Sequence, residues 1–195
     1  MPHLTDLTGL FGIASVIVAL LSCLPRGTSL PKKPLSIFLT AVFLVLLIPF
    51  GDIPLAGYAR GMVGDLSITS VVLAWLVLSQ PFRAANDEKN RAHLLMLIAT
   101  VAVIFYPMTL GVTLIDPYRL GYSDVLFVSI VLLIAIAAWF RKSYLLASCL
   151  ALTVIAWSLG WYESTNLWDY LLDPLLAIYA ILNLLTRQLK PKSKA

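Results

Sequence analysis

Apolar residues along this chain fall into seven long runs, and the polar residues collect between them. The runs cover residues 7–24, 35–50, 66–82, 94–114, 125–140, 144–161 and 167–185. They are continuously apolar and lack the period of two that a membrane strand would show. A helix crossing a bilayer needs about 20 such residues, with a range of about 17–25. The runs 35–50 and 125–140 are slightly short, and flanking residues such as Leu30-Pro31 and Tyr122-Ser123 extend them. A short core helix or a re-entrant segment is the other reading of either. The pattern predicts an all-α polytopic transmembrane helix bundle of about seven spans, with residues 1–195 forming a single transmembrane domain.

Composition agrees with that pattern. Of the 195 residues, 60% are hydrophobic and 12% charged, where a soluble domain is about 45–50% apolar and about 25% charged. A water-soluble globule so composed would expose too much apolar surface, and disorder is excluded by the same balance. Residues Met1 to Asp6 carry no Lys or Arg, so the basic head of a secretory signal is missing and the first run is expected to stay as a helix. Leu20-Leu21-Ser22-Cys23 loosely resembles a lipoprotein cleavage site, but the missing basic head argues against that reading. Cys23 and Cys149 both lie in apolar stretches, without a CxxC or a Cys/His cluster. They read as small core residues rather than as a disulfide or zinc site.

The net charge is +4, but the placement of the charges says more than their sum. Twelve of the 14 basic residues occupy alternate connections: Arg26, Lys32 and Lys33; Arg83, Lys89 and Arg91; Arg141 and Lys142; Arg187, Lys190, Lys192 and Lys194. The intervening connections hold only Arg60 and Arg119. The positive-inside rule then places the N-terminus outside and the C-terminus inside. Eight of the ten acids fall on or near the outer side, Asp87 and Glu88 being the exceptions. Trp139, Trp157, Trp161, Trp168, Tyr58, Tyr118, Tyr122, Tyr144, Tyr162 and Tyr170 cluster near the proposed interfaces, as in an aromatic belt; the sharper reading is a cofactor-binding box. The basic tail from Arg187 is a topology anchor that also attracts anionic lipid.

The outer connections echo each other. Arg60 lies five residues before Asp65, and Arg119 five before Asp124. The same offset of 59 superposes Ser70 on Ser129 and Arg83 on Lys142, so a hairpin repeat, 35–83 and 94–142, is one reading. Equal hairpin lengths arriving by chance is the other. Asp65 and Asp124 stand where helix N-caps belong, and Asn166 with Asp169 has the form of a variant capping box. Structural capping is the leading reading of these acids. The functional one is an outward-facing polar patch made of Arg60, Asp65, Arg119, Asp124, Asp169 and Asp173.

Catalytic signatures are missing. GxSxG, HExxH and the P-loop do not occur. His3 and His93 fall on opposite sides of the proposed membrane, so they cannot share a haem or a metal. Ser67, Thr69 and Ser70 have no nearby His or Lys base, and hydroxyls so placed back-bond to their helix or join helices together. No catalytic, cofactor or metal residues are therefore assigned, and the basic loops are too short to bind nucleic acid. Pro107 and Gly111 interrupt the fourth run, and Pro174 the seventh, directly after Asp173; such breaks sometimes mark a transport site. Asp173 is expected to face the bundle interior, within reach of an outer Arg or a polar cavity. The sequence favours a non-catalytic scaffold or accessory subunit in the bacterial cytoplasmic (inner) membrane, with lipids and other membrane proteins as partners. A small carrier or lipid-headgroup-binding protein using the outer patch is the alternative, followed by an intramembrane enzyme.

Overall fold

The computed structural model describes residues 4–24, 32–79, 87–122 and 124–189. The protein is mostly helical. Helix α1 spans Leu4–Cys23 and α2 spans Lys32–Leu47. A two-residue antiparallel pair follows, β1 (Pro49–Phe50) with β2 (Ile53–Pro54), in the register Pro49↔Pro54 and Phe50↔Ile53. Then come α3 (Leu55–Val63) and α4 (Ile68–Leu78). Helix α5 (Asp87–Pro107) runs into a wide π turn, Met108–Val112, and a 3₁₀ turn covers Pro117–Gly121. The last helices are α6 (Val125–Phe140), α7 (Tyr144–Ser158), α8 (Leu167–Leu171) and α9 (Pro174–Leu189).

Local chemistry sets most of these limits. Pro49 lacks an amide hydrogen, so α2 ends before it and the chain turns through Gly51 at φ 79°. The second apolar run therefore closes at Leu47 rather than at 50. Helix α7 ends in a Schellman turn. Gly160 takes φ 62°, with the Trp161 amide donating to the Ala156 carbonyl and the Gly160 amide to Trp157. The same geometry closes α6, where Lys142 takes φ 60° and the Ser143 amide donates to Ala138. Both breakers noted in the sequence act as breaks. The chain widens at Pro107 and reaches φ 86° at Gly111. It leaves helical geometry at Leu172 (φ −145°, ψ 135°) before α9 restarts at Pro174.

Among the described residues two helices are long and apolar enough to cross a membrane, Thr5–Cys23 and Lys89–Val112. The remaining runs form shorter apolar helices, among them Leu35–Leu47, Ile68–Leu78 and Val125–Phe140. The main packing pairs are α1 with α4, α5 with α9 and α6 with α7. One core gathers Leu94, Leu95, Ile98 and Phe105 of α5 around Leu176, Ala177 and Ala180 of α9. A second joins Ile13 and Ala14 of α1 to Ala56 of α3 and Leu66. Buried alanines recur at these contacts, including Ala14, Ala99, Ala102, Ala156 and Ala180, which lets helix backbones approach closely. Large apolar residues lie outside: Phe140 and Leu110 are each 80% exposed.

Candidate functional site

The six polar residues singled out in the sequence separate into distinct settings. Arg60, near the end of α3, forms a fork with Asp65: Nε donates to Oδ1 at 2.6 Å and Nη2 to Oδ2 at 2.9 Å. Its Nη1 reaches Asp6 of α1 at 3.0 Å, and Glu163 lies 3.6 Å from Nη2. The side chain of Arg60 is only 16% exposed. The Asp65 carboxylate holds its guanidinium charged even more firmly than usual, against the opposing effect of burial. Gly9 permits this approach, because a Cβ there would stand 2.6 Å from Arg60 Nε. Asp6, Asp52, Arg60, Asp65 and Glu163 rim a cavity of about 570 Å³.

Asp65 does not occupy the cap position expected for it. Helix α4 begins three residues later, and its N-cap is Ser67, whose Oγ accepts from the Ser70 amide at 3.2 Å. The bidentate Arg60 fork claims both Asp65 oxygens instead. Asp124 does cap α6, accepting from the Leu126 amide at 2.8 Å and the Phe127 amide at 3.1 Å. Arg119 lies exposed in the 3₁₀ turn, and among the described residues it forms no ion pair. The echo between these two connections thus has two different structures, a half-buried fork in the first and a helix cap in the second.

Asp173 is 4% exposed and faces the interior. Its Oδ2 accepts from the Ser67 amide (3.1 Å), the Ser67 hydroxyl (2.7 Å) and the Ser70 hydroxyl (2.5 Å). Its Oδ1 accepts from the Leu176 amide at 2.8 Å. One carboxylate therefore caps α9 and clamps the start of α4. It faces the interior as expected, but its partners are serines and amides rather than the outer arginine that is one of the two expected settings. Pro174 directly after it stands at the first helical position, where its missing amide costs nothing. Asp-Pro at a helix start is the signal that could have identified this cap.

Asp169 anchors a third cluster. It accepts from the Tyr118 hydroxyl at 3.0 Å and from Ser164 Oγ at 2.5 Å. Burial, reinforced by Asp169, pushes the Tyr118 phenol above its ordinary range. Asn166 caps α8 through the Trp168 amide at 2.9 Å and donates from Nδ2 to the Tyr118 carbonyl at 2.9 Å. The capping box is incomplete: Ser164, not Asp169, accepts the Asn166 amide. Trp168 Nε1 donates to the Pro117 carbonyl, and its ring lies 4.3 Å from that of Phe105. The 3₁₀ turn is thereby pinned onto α8. A Cβ at Gly121 would overlap Asn166 Oδ1, so glycine is required there.

Ser67 and Ser70 donate to a carboxylate, and no His or Lys is among their partners. Among the described residues no group of three His, Cys, Asp or Glu side chains is placed to hold a metal ion. His3 and the basic residues Arg26, Arg83, Lys190, Lys192 and Lys194 lie outside the described residues. Comparison with family models, with curated proteins and with solved structures finds no match for this chain.

Proposed function

We propose that this chain is a non-catalytic polytopic protein of the bacterial cytoplasmic membrane, acting as a scaffold or accessory subunit of a membrane assembly. In this reading the seven apolar runs form about seven spans, with the N-terminus outside and the C-terminus inside. Membrane lipids and other membrane proteins are its partners. The observation that carries the proposal is the use made of the buried and half-buried polar groups. Asp173 clamps two helix starts, Asn166 and Asp169 fasten the 3₁₀ turn to α8, and Arg60 ties α3 to α1. Each fixes the relative placement of elements, and the outer faces of the helices carry large apolar side chains. A bundle whose interior polar groups serve its own packing, with an apolar exterior that lipid tails or other helices can cover, suits a membrane subunit better than a catalyst.

The test is extraction of the tagged chain in a mild detergent, followed by mass spectrometry of what accompanies it. Recovery of another membrane protein in a fixed ratio, lost when exposed apolar residues such as Phe140 and Leu133 are replaced by Ala, supports the subunit reading. Elution as a lone chain from native membranes overturns it. A lipid-binding reading gains support from a separate groove between α1, α4, α5 and α9.

A further inference from the structure

We infer that the groove bounded by α1, α4, α5 and α9 holds an acyl chain of an anionic phospholipid, whose phosphate sits on Arg91 and Tyr179. The inference rests on the membrane placement proposed above. The groove encloses about 330 Å³ and opens on the outside of the bundle. That volume lies at the small end for a ligand site. Leu20 of α1, Leu73 and Val77 of α4 and Leu176 of α9 form its walls. An apolar trough of this kind suits a hydrocarbon chain and offers nothing to a soluble anion.

Its polar groups are unequal. Ser70 at one end already donates to Asp173, so its proton is committed. At the other end Arg91 Nη2 donates to the Tyr179 hydroxyl at 2.5 Å. That hydroxyl accepts from Arg91, and its own proton has no acceptor among the described residues. Arg91 likewise has no carboxylate within ion-pair distance among the described residues. A guanidinium with unused N–H groups and a phenol O–H thus converge at the mouth of an apolar trough. A phosphate oxygen accepts from both, and the guanidinium fork favours a phosphate geometrically. Because no acid among the described residues lies within ion-pair distance of Arg91, a headgroup with net negative charge complements it better than a zwitterion.

The two polar ends are separated along α9 by the six residues from Asp173 to Tyr179, about 9 Å of helix. Arg91 belongs to the basic, cytoplasmic set of residues, and a long arginine reaches the phosphate level from within a span. Anionic lipid is enriched at such basic surfaces. The lipid is therefore one of the inner leaflet, with its headgroup at Arg91 and its chain running toward Ser70. This site is distinct from the outer patch of Arg60 and its acids.

Native mass spectrometry of the full chain in mild detergent, titrated with phosphatidylglycerol or phosphatidylcholine, tests the site. Wild type should retain one phosphatidylglycerol in preference to phosphatidylcholine. Arg91→Gln should lower phosphatidylglycerol retention about tenfold and phosphatidylcholine retention less, so that the preference between them narrows. Arg91→Lys should keep part of the preference. Leu20→Trp, which narrows the trough, should weaken both lipids. Should Arg91→Gln fail to fold, Tyr179→Phe carries the test, with an expected loss of about twofold or more. Equal retention of the two lipids by wild type, or unchanged phosphatidylglycerol retention in Arg91→Gln or Tyr179→Phe, overturns the inference. Washing native membranes with alkaline carbonate separates the two levels. Release of the chain defeats the membrane placement, whereas firm retention without headgroup preference defeats only the lipid site.

Discussion

Asp173, Asp124 and Asp65 are the same residue near three helix starts, and their partners give them three different tasks. Asp124 is a cap that accepts two amides. Asn or Ser can replace it, whereas Asp124→Ala should cost about 0.5–2 kcal/mol, measured by thermal unfolding in detergent. Asp65 instead supplies both oxygens to a guanidinium fork. There Asp65→Asn should be nearly as damaging as Asp65→Ala, because the amide offers one acceptor and no charge. Tolerance of Asn at residue 65 would restore the capping reading. Asp173 does most, since four donors converge on it. Ser70→Ala should cost about 0.6–1.7 kcal/mol, the range for one interhelical hydrogen bond in a membrane protein. Asp173→Ala should cost more, because it strands several buried donors. A double-mutant cycle should show the two substitutions strongly coupled; simple additivity would mean that the clamp is not a unit. Tyr118 gives a pH signature. Burial and Asp169 raise its phenol, so the folded state favours the protonated form. That contribution is complete below pH about 10, the ordinary tyrosine value, and is lost as the pH rises through the higher folded value. Tyrosine absorbance of wild type minus Tyr118→Phe should therefore show this group ionising after the exposed tyrosines.

At the scale of elements, Gly9 links a helix to the ion pair packed on it. Its missing Cβ is what lets α1 lie against Arg60 and Asp65. Gly9→Ala gains helix propensity yet should destabilise the protein by forcing the fork aside. In an Asp65→Ala background that penalty should shrink; an undiminished penalty would place the cost elsewhere. Much of the helical order was legible in the apolar runs. Helix α6 coincides with the run 125–140, α7 begins at Tyr144 as its run does, and the breaks at Pro107 and Pro174 follow from missing amides. The turn at Gly51–Asp52 and helix α3 were not legible. They occupy a stretch whose apolar residues are too few for a span, and one proline and four glycines there mark only a connection. The Arg60–Asp65 pair was visible as a spacing, but spacing could not tell a salt bridge from a cap. The Ser67–Asp173 clamp was hidden because its partners stand 106 residues apart. Such pairing is set by the packing of α4 on the last helices, which no local pattern encodes.

For the whole molecule, the proposed membrane placement asks how helices of unequal length would share one bilayer. Helix α4 has 11 residues, about 16 Å at 1.5 Å per residue, against a hydrocarbon core of about 30 Å. Helix α5 with its π turn reaches much further. The short helix is not isolated, however. It packs against α1 and α7, and at its start the Ser67 amide donates to Asp173 and the Ser70 amide to Ser67 Oγ, so polar backbone there is covered by protein. Orientation then rests on the basic residues, which gather on one set of connections. A reporter active only outside the cytoplasm should be silent when fused after Ala195 and active when fused after Gly61. One short connection offers a sharper test, because Arg141 and Lys142 lie between α6 and α7, which pack closely on each other. Replacing both with Gln removes local basic charge while the other basic connections remain. The reporter at residue 195 should stay silent, because the positive-inside bias is summed over several loops. Strong activity of the wild-type fusion at residue 195 would instead invert the orientation, and would move Arg91 and its groove to the outer leaflet.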